Sequence, residues 1–384
     1  MKTQRIGDAL QSFDSARIPI KAADRVPGEN PYLGASGVVD HVDGFTHEGQ
    51  FLCVAEDGAN LLTRSLPIAW VQEGKFWANN HLHVLGGINR NHLKFFQYAI
   101  ELANIASFVS GSAQPKLNQA SLQRIEVPAL GTSNEKAIGK LLAAIDDNIA
   151  ANLKAVNLGS SLLMTLYQEF AKRPAGPFEQ VCDVFGGSTP STKRDEFWGG
   201  EIQWATPTDL TALKGPWLSE TERTITDAGL QSMSSSLHPE GSILMTSRAT
   251  IGTVALAAEP VATNQGFIVV RASEELTPWI FCQLQDRVRE FEAWSNGATF
   301  LELSRGNFKK LPFYRAEPEA LESFNQKAWP ILQMCKAKQS ENRILAKTRD
   351  ELLPLLMSGK ITVKESEQKA TAASADIASE ENEA

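Results

Sequence analysis

Long apolar runs are missing from this 384-residue chain, and none approaches the roughly 18–20 residues that a bilayer-spanning helix needs. Its first ten residues are mixed and polar, without the basic start and apolar centre of a secretory leader. Cysteine is scarce. Cys53, Cys182, Cys282 and Cys335 stand far apart with no Cys-x-x-Cys pair, which fits buried thiols in a reducing cytosol better than a disulfide scaffold or a zinc site. A cytoplasmic location and no membrane contact are therefore expected. A basic excess is missing too: the net charge is −8. Residues 361–384 hold six acids against Lys364 and Lys369, so half of that excess sits in an Ala/Ser/Glu tail that reads as disordered. The remaining body is close to neutral for its size, and composition neither supports nor excludes a nucleic-acid partner. What is present suits ordinary buried cores: 42% hydrophobic residues, a mean hydropathy of −0.21, and a length that suggests two or three domains.

Catalytic signatures are also missing. Gly131 and Gly139-Lys140 have the wrong spacing for a phosphate-binding loop, and Leu141 stands where a magnesium-binding hydroxyl belongs. Asn30-Pro31-Tyr32 lacks the second proline of the Asn-Pro-Pro-Tyr that grips a target amine in base methyltransferases, and no methyl-donor glycine loop precedes it; a turn before a strand is the better reading. Glu367-Gln-Lys369 resembles the end of a nuclease motif but falls in the tail. Of the six histidines only His81-x-His83 has ligand-like spacing, with no neighbouring carboxylate or cysteine to complete a metal set. On a strand both would face one side, as a polar face open to a ligand. No catalytic residue and no metal ligand is assigned.

What the chain does contain is a repeat. Gly111-x5-Leu117-Asn118-x3-Leu122-x-Arg124-Ile125-x-Val127 recurs 186 residues later as Gly297-x5-Leu303-Ser304-x3-Phe308-x-Lys310-Leu311-x-Phe313. Upstream, Gly49-x-Phe51-Leu52 matches Gly241-x-Ile243-Leu244, and Asn80-x3-Val84-Leu85 matches Asn264-x3-Ile268-Val269. On this register Arg248 is answered by Glu56. Each copy ends in a long helical stretch. Ile138, Leu142, Ile145, Ile149, Val156, Leu163, Leu166 and Phe170 keep heptad spacing with Asn152 and Gly159 in the seam. Leu321, Phe324, Ala328, Ile331, Cys335, Leu345, Leu352 and Leu356 do so in the second, with Lys338, Asn342 and Arg349. Asn152 and Asn342 are expected to fix the register; Pro330 and Pro354 are expected to kink the second helix or cut it short. Strands are predicted at Phe51–Ala55, Ile243–Thr246 and Gly266–Val270, and helices at His92–Phe108 and Thr277–Trp294.

The expected fold is thus α+β: two mixed domains separated by two long antiparallel coiled-coil helices, with a pseudo-twofold internal repeat. The boundaries are 1–132 and 173–315 for the domains, 133–172 and 316–360 for the helices, and 361–384 for the acidic tail.

Three segments carry a resemblance: Gly186-Gly-Ser-Thr-Pro190-x4-Asp195-x-Phe197-Trp198 running on to Trp204-Ala-Thr206-Pro207-x-Asp209-Leu210; His238-Pro-Glu-Gly241 running on to Thr246-Ser-Arg248-x3-Gly252; and Ala262-Thr-Asn264-Gln265-Gly266-Phe267. In this order and spacing they resemble the target recognition domain of type I restriction-modification specificity subunits. The first half carries a looser version in Pro31-Tyr-x-Gly34, Glu56-Asp-Gly58, Asn79-Asn80 and Gln114-Pro-x-Leu117-Asn. Asn134-Glu135-x2-Ile138 resembles the family's spacer start, with Lys136 where a glutamine is usual. The resemblance spans roughly residues 5–360 and implies a non-catalytic subunit that selects a bipartite site on double-stranded DNA. It also implies partners: two methylation subunits carrying S-adenosylmethionine, and restriction subunits carrying ATP and magnesium, with no cofactor in this chain. The alternatives are a separated remnant of a methyltransferase or restriction enzyme, and a helical adaptor without a DNA role.

Base edges are read by bidentate groups, Arg for guanine and Asn or Gln for adenine, while hydroxyls and bases hold phosphates. On that chemistry the second domain offers Ser188, Thr189, Ser191, Thr192, Lys193 and Arg194 in one turn, then Thr206, Arg248, Asn264 and Gln265. The first offers Lys21, Arg25, Asn30, Tyr32, Ser36, Arg64, Asn79, Asn80 and His81. A residue shared by both copies, such as Asn80 and Asn264, reads better as structural. Trp198, Trp204 and Trp217 read as core or rim.

Overall fold

The repeat is a repeat of packing. In a computed structural model that describes residues 2–111, 113–295 and 301–364, Leu117 and Leu303 are both buried, and the residue after each caps a short helix. Asn118 accepts from the Ser121 amide at the start of Gln119–Arg124, and Ser304 accepts from the Asn307 amide at the start of Arg305–Lys310. Leu122, Ile125 and Val127 then enter one core as Phe308, Leu311 and Phe313 enter another. The start of the second repeat, Gly297–Phe300, and the tail from residue 365 lie outside the described residues.

The chain divides into two units, residues 1–148 with 345–384 and residues 149–344, so that each takes part of both long helices. In the first, strands β1 (Gln11–Ser12), β2 (Pro27–Gly34), β3 (Gly37–Val42), β4 (His47–Ala55), β5 (Ala69–Ala78) and β6 (Leu82–Gly86) form a sheet in the order β1-β6-β4-β5-β2-β3. It is antiparallel except where Tyr32 and Leu33 run parallel to Trp77 and Ala78. The helix Arg90–Leu102, capped by Asn89, lies against it. Its core gathers Leu52, Val54, Phe95, Phe96 and Ile100 with Ile138 and Leu142 of one long helix and Leu352, Leu356 and Met357 of the other. Gly139 allows the close approach: a Cβ there would sit 1.8 Å from the Asn91 carbonyl oxygen. The predicted helix His92–Phe108 ends instead at Leu102, and a separate short turn covers Ala106–Phe108.

The second unit holds β7 (Asp183–Gly186), β8 (Trp198–Ala205), β9 (Trp217–Leu218), β10 (Thr224–Ile225), β11 (Ile243–Thr246), β12 (Val254–Ala257), β13 (Val261–Thr263) and β14 (Phe267–Arg271). They form a five-stranded sheet, β7-β14-β11-β12-β9, and a three-stranded one, β10-β8-β13. Leu244 pairs with Val269 as Leu52 pairs with Leu85, so the central strand pairs match across the copies. The predicted helix Thr277–Trp294 is broken at Arg287, whose guanidinium turns in to the Pro312 carbonyl (2.6 Å) and Glu290. In each unit the two ends of the globular part pair as short strands: Thr3–Arg5 with Glu126–Pro128, and Arg173–Pro177 with Pro312–Arg315.

The long helices run Thr132–Glu169 and Pro318–Met357. The second is not cut short: it continues through Pro330 and Pro354, because its buried residues (Leu321, Phe324, Ala328, Leu332, Leu352, Leu356) anchor it on either side of both prolines. In the second unit Asn152 donates to the Asn342 carbonyl oxygen at 3.0 Å, and Gly159 faces Ile331, Met334 and Cys335, an antiparallel seam. In the first, Asp146 meets Arg349 at 3.3 Å. Lys338 leaves the expected seam and pairs outward with Glu341, while Leu332 is fully buried where Ile331 was expected. The drift has a cause: this helix also packs against the globular core, through Ala328 and Leu332.

Candidate nucleic-acid interface

The turns before β6 and β14 are built the same way. Asn264 accepts the Gly266 amide (2.8 Å) and Asn79 accepts the His81 amide (2.7 Å), each closing a tight turn with its own side chain. The structural equivalent of Asn264 is therefore Asn79, not Asn80, because the first domain has one more residue between this turn and the strand position that pairs with Leu52. Asn79 is buried and Asn264 half-buried, and the oxygen of each closes its turn. Each turn presents the next residue outward: Asn80 and Gln265 are both exposed amides.

Beside each amide lies an isolated bridge between two charged residues, Asp57 with Lys116 and Arg248 with Glu302. Arg248 is thus answered by Asp57 rather than by Glu56. Arg248 Nη2 reaches Glu302 at 2.8 Å, and His81 Nδ1 lies 2.7 Å from Asp57. In the second domain these groups open on a cleft of about 660 Å³, shared with the serine run Ser234–Ser236 and with Arg305. The Gly186-to-Arg194 loop forms one wall. Gly187 lets it cross β13, since a Cβ there would lie 2.1 Å from the Asn264 carbonyl oxygen. Thr189 donates to Gln265 Oε1 at 2.6 Å, and among the described residues the amide nitrogen of Gln265 has no protein partner. Lys193 is exposed, and Arg194 bonds Glu196 and covers Phe197.

Other candidates are committed elsewhere. Tyr32 is 1% exposed, with its hydroxyl tied to Ile20, and Arg25 covers its ring while pairing with Asp40 at 3.0 Å. Asn30 donates to the Gly44 carbonyl. Arg64 closes a helix in the left-handed region (φ 52°), with its guanidinium on Glu101 and the Ala103 carbonyl. Ser188 is buried against Ser235, and Thr206 forms a reciprocal cap with Asp209. In each of these side chains at least one polar atom is bonded within its own domain. Lys21 and Ser36 remain exposed, Ser36 on a hollow of about 350 Å³ with Trp70 and Gln72.

His83 differs most from expectation. It is fully buried, with Nδ1 2.6 Å from Asp14 and Nε2 2.7 Å from the Leu117 carbonyl, and shares no face with His81. Burial opposes the charge of Asp14, but the hydrogen bond and charge of His83 outweigh it and hold the carboxyl below the usual range. Glu56 is likewise held low, burial being outweighed by Arg17 and Lys116. This network stiffens the base of the first domain's turn. Among the described residues no group of three His, Cys, Asp or Glu could hold a metal ion, and no helix is long and apolar enough to cross a membrane. Trp217 and Trp204 are buried, and Trp198 lies under Arg223 at 3.5 Å.

Sequence reading missed Arg305, Arg223 and Ser234–Ser236. Arg305 had a signal: it follows the cap Ser304, and its counterpart across the repeat is Gln119, a different polar group at one exposed position.

The type I restriction modification DNA specificity domain model matches residues 1–157 and 177–346. A putative type I restriction enzyme specificity subunit of Haemophilus influenzae is 40% identical over 140 residues, 36% of each chain. The type I restriction enzyme MjaIX specificity subunit of Methanocaldococcus jannaschii is 34% identical over 177 residues, 45% of this chain and 41% of that one. The chain thus matches well under half the length of these curated relatives. A type-I restriction-modification system S subunit from M. genitalium has the same fold, with a TM-score of 0.66 at 13% identity over 93% of this chain and 96% of that one. With the family match covering most of its length in two stretches, the chain belongs to the type I restriction modification DNA specificity domain family.

Proposed function

We propose that this protein is the non-catalytic DNA-specificity subunit of a type I restriction-modification complex, and that each globular domain reads one half of a bipartite site. The observation that carries the reading is the pair of turns closed by Asn79 and Asn264. Each presents an amide, Asn80 or Gln265, beside a backbone bridge whose two residues carry charges of opposite sign in the two copies, Asp57 and Lys116 in one and Arg248 and Glu302 in the other. An amide offers the donor and acceptor that adenine presents in the major groove, and the exchanged charges favour different neighbouring bases. Lys193, Arg305 and Lys21 supply phosphate contacts, few in number, so binding by the chain alone is weak and salt-sensitive.

Two methylation subunits, carrying S-adenosylmethionine, would dock one per domain-plus-helix copy, and restriction subunits carrying ATP and magnesium would join them, in the cytoplasm. The test is to map modified adenines in cells expressing the chain with its partners. Gln265→Ala should relax one half-site and leave the other and the gap intact. A change in both half-sites would overturn independent reading. Native mass spectrometry of the assembled complex would count the methylation subunits.

A further inference from the structure

Away from the cleft, the second unit carries a hollow of opposite character. Two adjoining depressions of about 590 and 630 Å³ share Glu274 and Trp329 and run beside the first third of the second long helix. Five glutamates line them: Glu240, Glu274, Glu275, Glu319 and Glu322. Glu240 is met by Lys336 and Glu275 by Arg315, whereas Glu274, Glu319 and Glu322 have no ion pair among the described residues. The one cation in the lining, Arg271, is already engaged, with Nη2 held by the Leu237 carbonyl and His238. A second observation is independent of charge. Ser242 lines the same hollow and is 2% exposed, yet its hydroxyl has no partner; the Asn325 carbonyl oxygen, at the other depression, has none either. Buried polar atoms are nearly always bonded, so each of these two leaves a hydrogen-bonding capacity unmet at the wall of the hollow.

We propose that this groove docks a basic, extended segment of another polypeptide, with an arginine laid over the Trp329 indole between Glu274 and Glu322. A guanidinium is planar and weakly hydrated, so it stacks on an indole while pairing with carboxylates, which a compact ammonium does less well. Main-chain groups of the segment meet Ser242 and Asn325. DNA is excluded by the sign of the field. The inference does not depend on the DNA reading.

The test uses the full chain and a fluorescein-labelled peptide of alternating alanine and arginine, followed by anisotropy at physiological salt. Trp329→Ala and, separately, Glu274→Gln/Glu322→Gln should each weaken binding about tenfold, a loss of roughly 1.4 kcal/mol. The surface control Glu201→Gln/Glu259→Gln should bind as the parent does. The glutamate pair is exposed, so its variant keeps the test valid should Trp329→Ala fail to fold. Undiminished binding in the groove variants, with the acidic tail still present, would overturn the proposal. So would an equal loss in the control, or displacement by spermidine as readily as by unlabelled peptide, which would mark a small-cation site.

Discussion

Arg248 and Glu302 face one another across an isolated bridge, Nη2 to Oε1 at 2.8 Å, at the place where the first domain sets Asp57 against Lys116. The backbone geometry is common to both copies and the charges are reversed, which lets one fold present two different surfaces beside its exposed amide. Arg248→Ala, assayed in the assembled complex, should lower affinity for the second half-site by about 1–3 kcal/mol. Uniform weakening across all sequences would mean that Arg248 touches only phosphate.

The caps should prove equivalent. Asn118→Ala and Ser304→Ala each remove the acceptor for one amide and should each cost about 1 kcal/mol of stability, by urea unfolding. A cost for one and none for the other would break the equivalence of the repeat.

At the helix seam, Asn152→Leu leaves the Asn342 side-chain oxygen without its donor, the Asn342 NH2 keeping the Ile149 carbonyl, and should destabilise by about 1–3 kcal/mol. Replacing both by leucine should recover most of that loss but broaden the oligomeric state, because a buried amide pair discriminates against other registers. Sedimentation of the double variant checks this; a single sharp monomer would remove the register role.

His238 is buried, with Nδ1 2.9 Å from Arg271 and Nε2 unpartnered. Burial, aided by the Arg271 charge, lowers its pKa to about 4. Since this folded value lies below the unfolded one, the unfolded chain takes up the proton first, so stability falls as pH drops from about 6.5 towards 4 and is unaffected above that window. The loss is on the order of 3 kcal/mol. Burial also lowers His47 and His92, in the same direction. His238→Gln should flatten most of the decline in urea midpoint between pH 7 and pH 5; an unchanged slope would assign it to other groups.

Highly purified chain should transfer no methyl group to DNA and cut none, and its DNA affinity should fall steeply between low and physiological salt. Methyl transfer from labelled donor by the chain alone would contradict the non-catalytic reading.

The sequence by itself determined the repeat, the two long helices and the family resemblance, because each rests on local signals. Leu117-Asn118 and Leu303-Ser304 combine a buried residue with a cap, and heptad spacing survives along a helix whatever it packs on. Tertiary structure decided which polar residues are available. Tyr32, Arg64 and Ser188 belong to suitable residue types, yet their partners Ile20, Glu101 and Ser235 lie on other segments that fold back against them. It also decided that Asn79, not Asn80, closes the first turn, since one extra residue shifts which side chain points inward. The unbroken course of the second long helix through Pro330 and Pro354 was settled by the buried residues on either side of each proline, and Arg305 joined the cleft because the hairpins bring it beside Gly186. Periodicity tells which face of an element is apolar; only the assembled fold tells what the remaining polar atoms have already met.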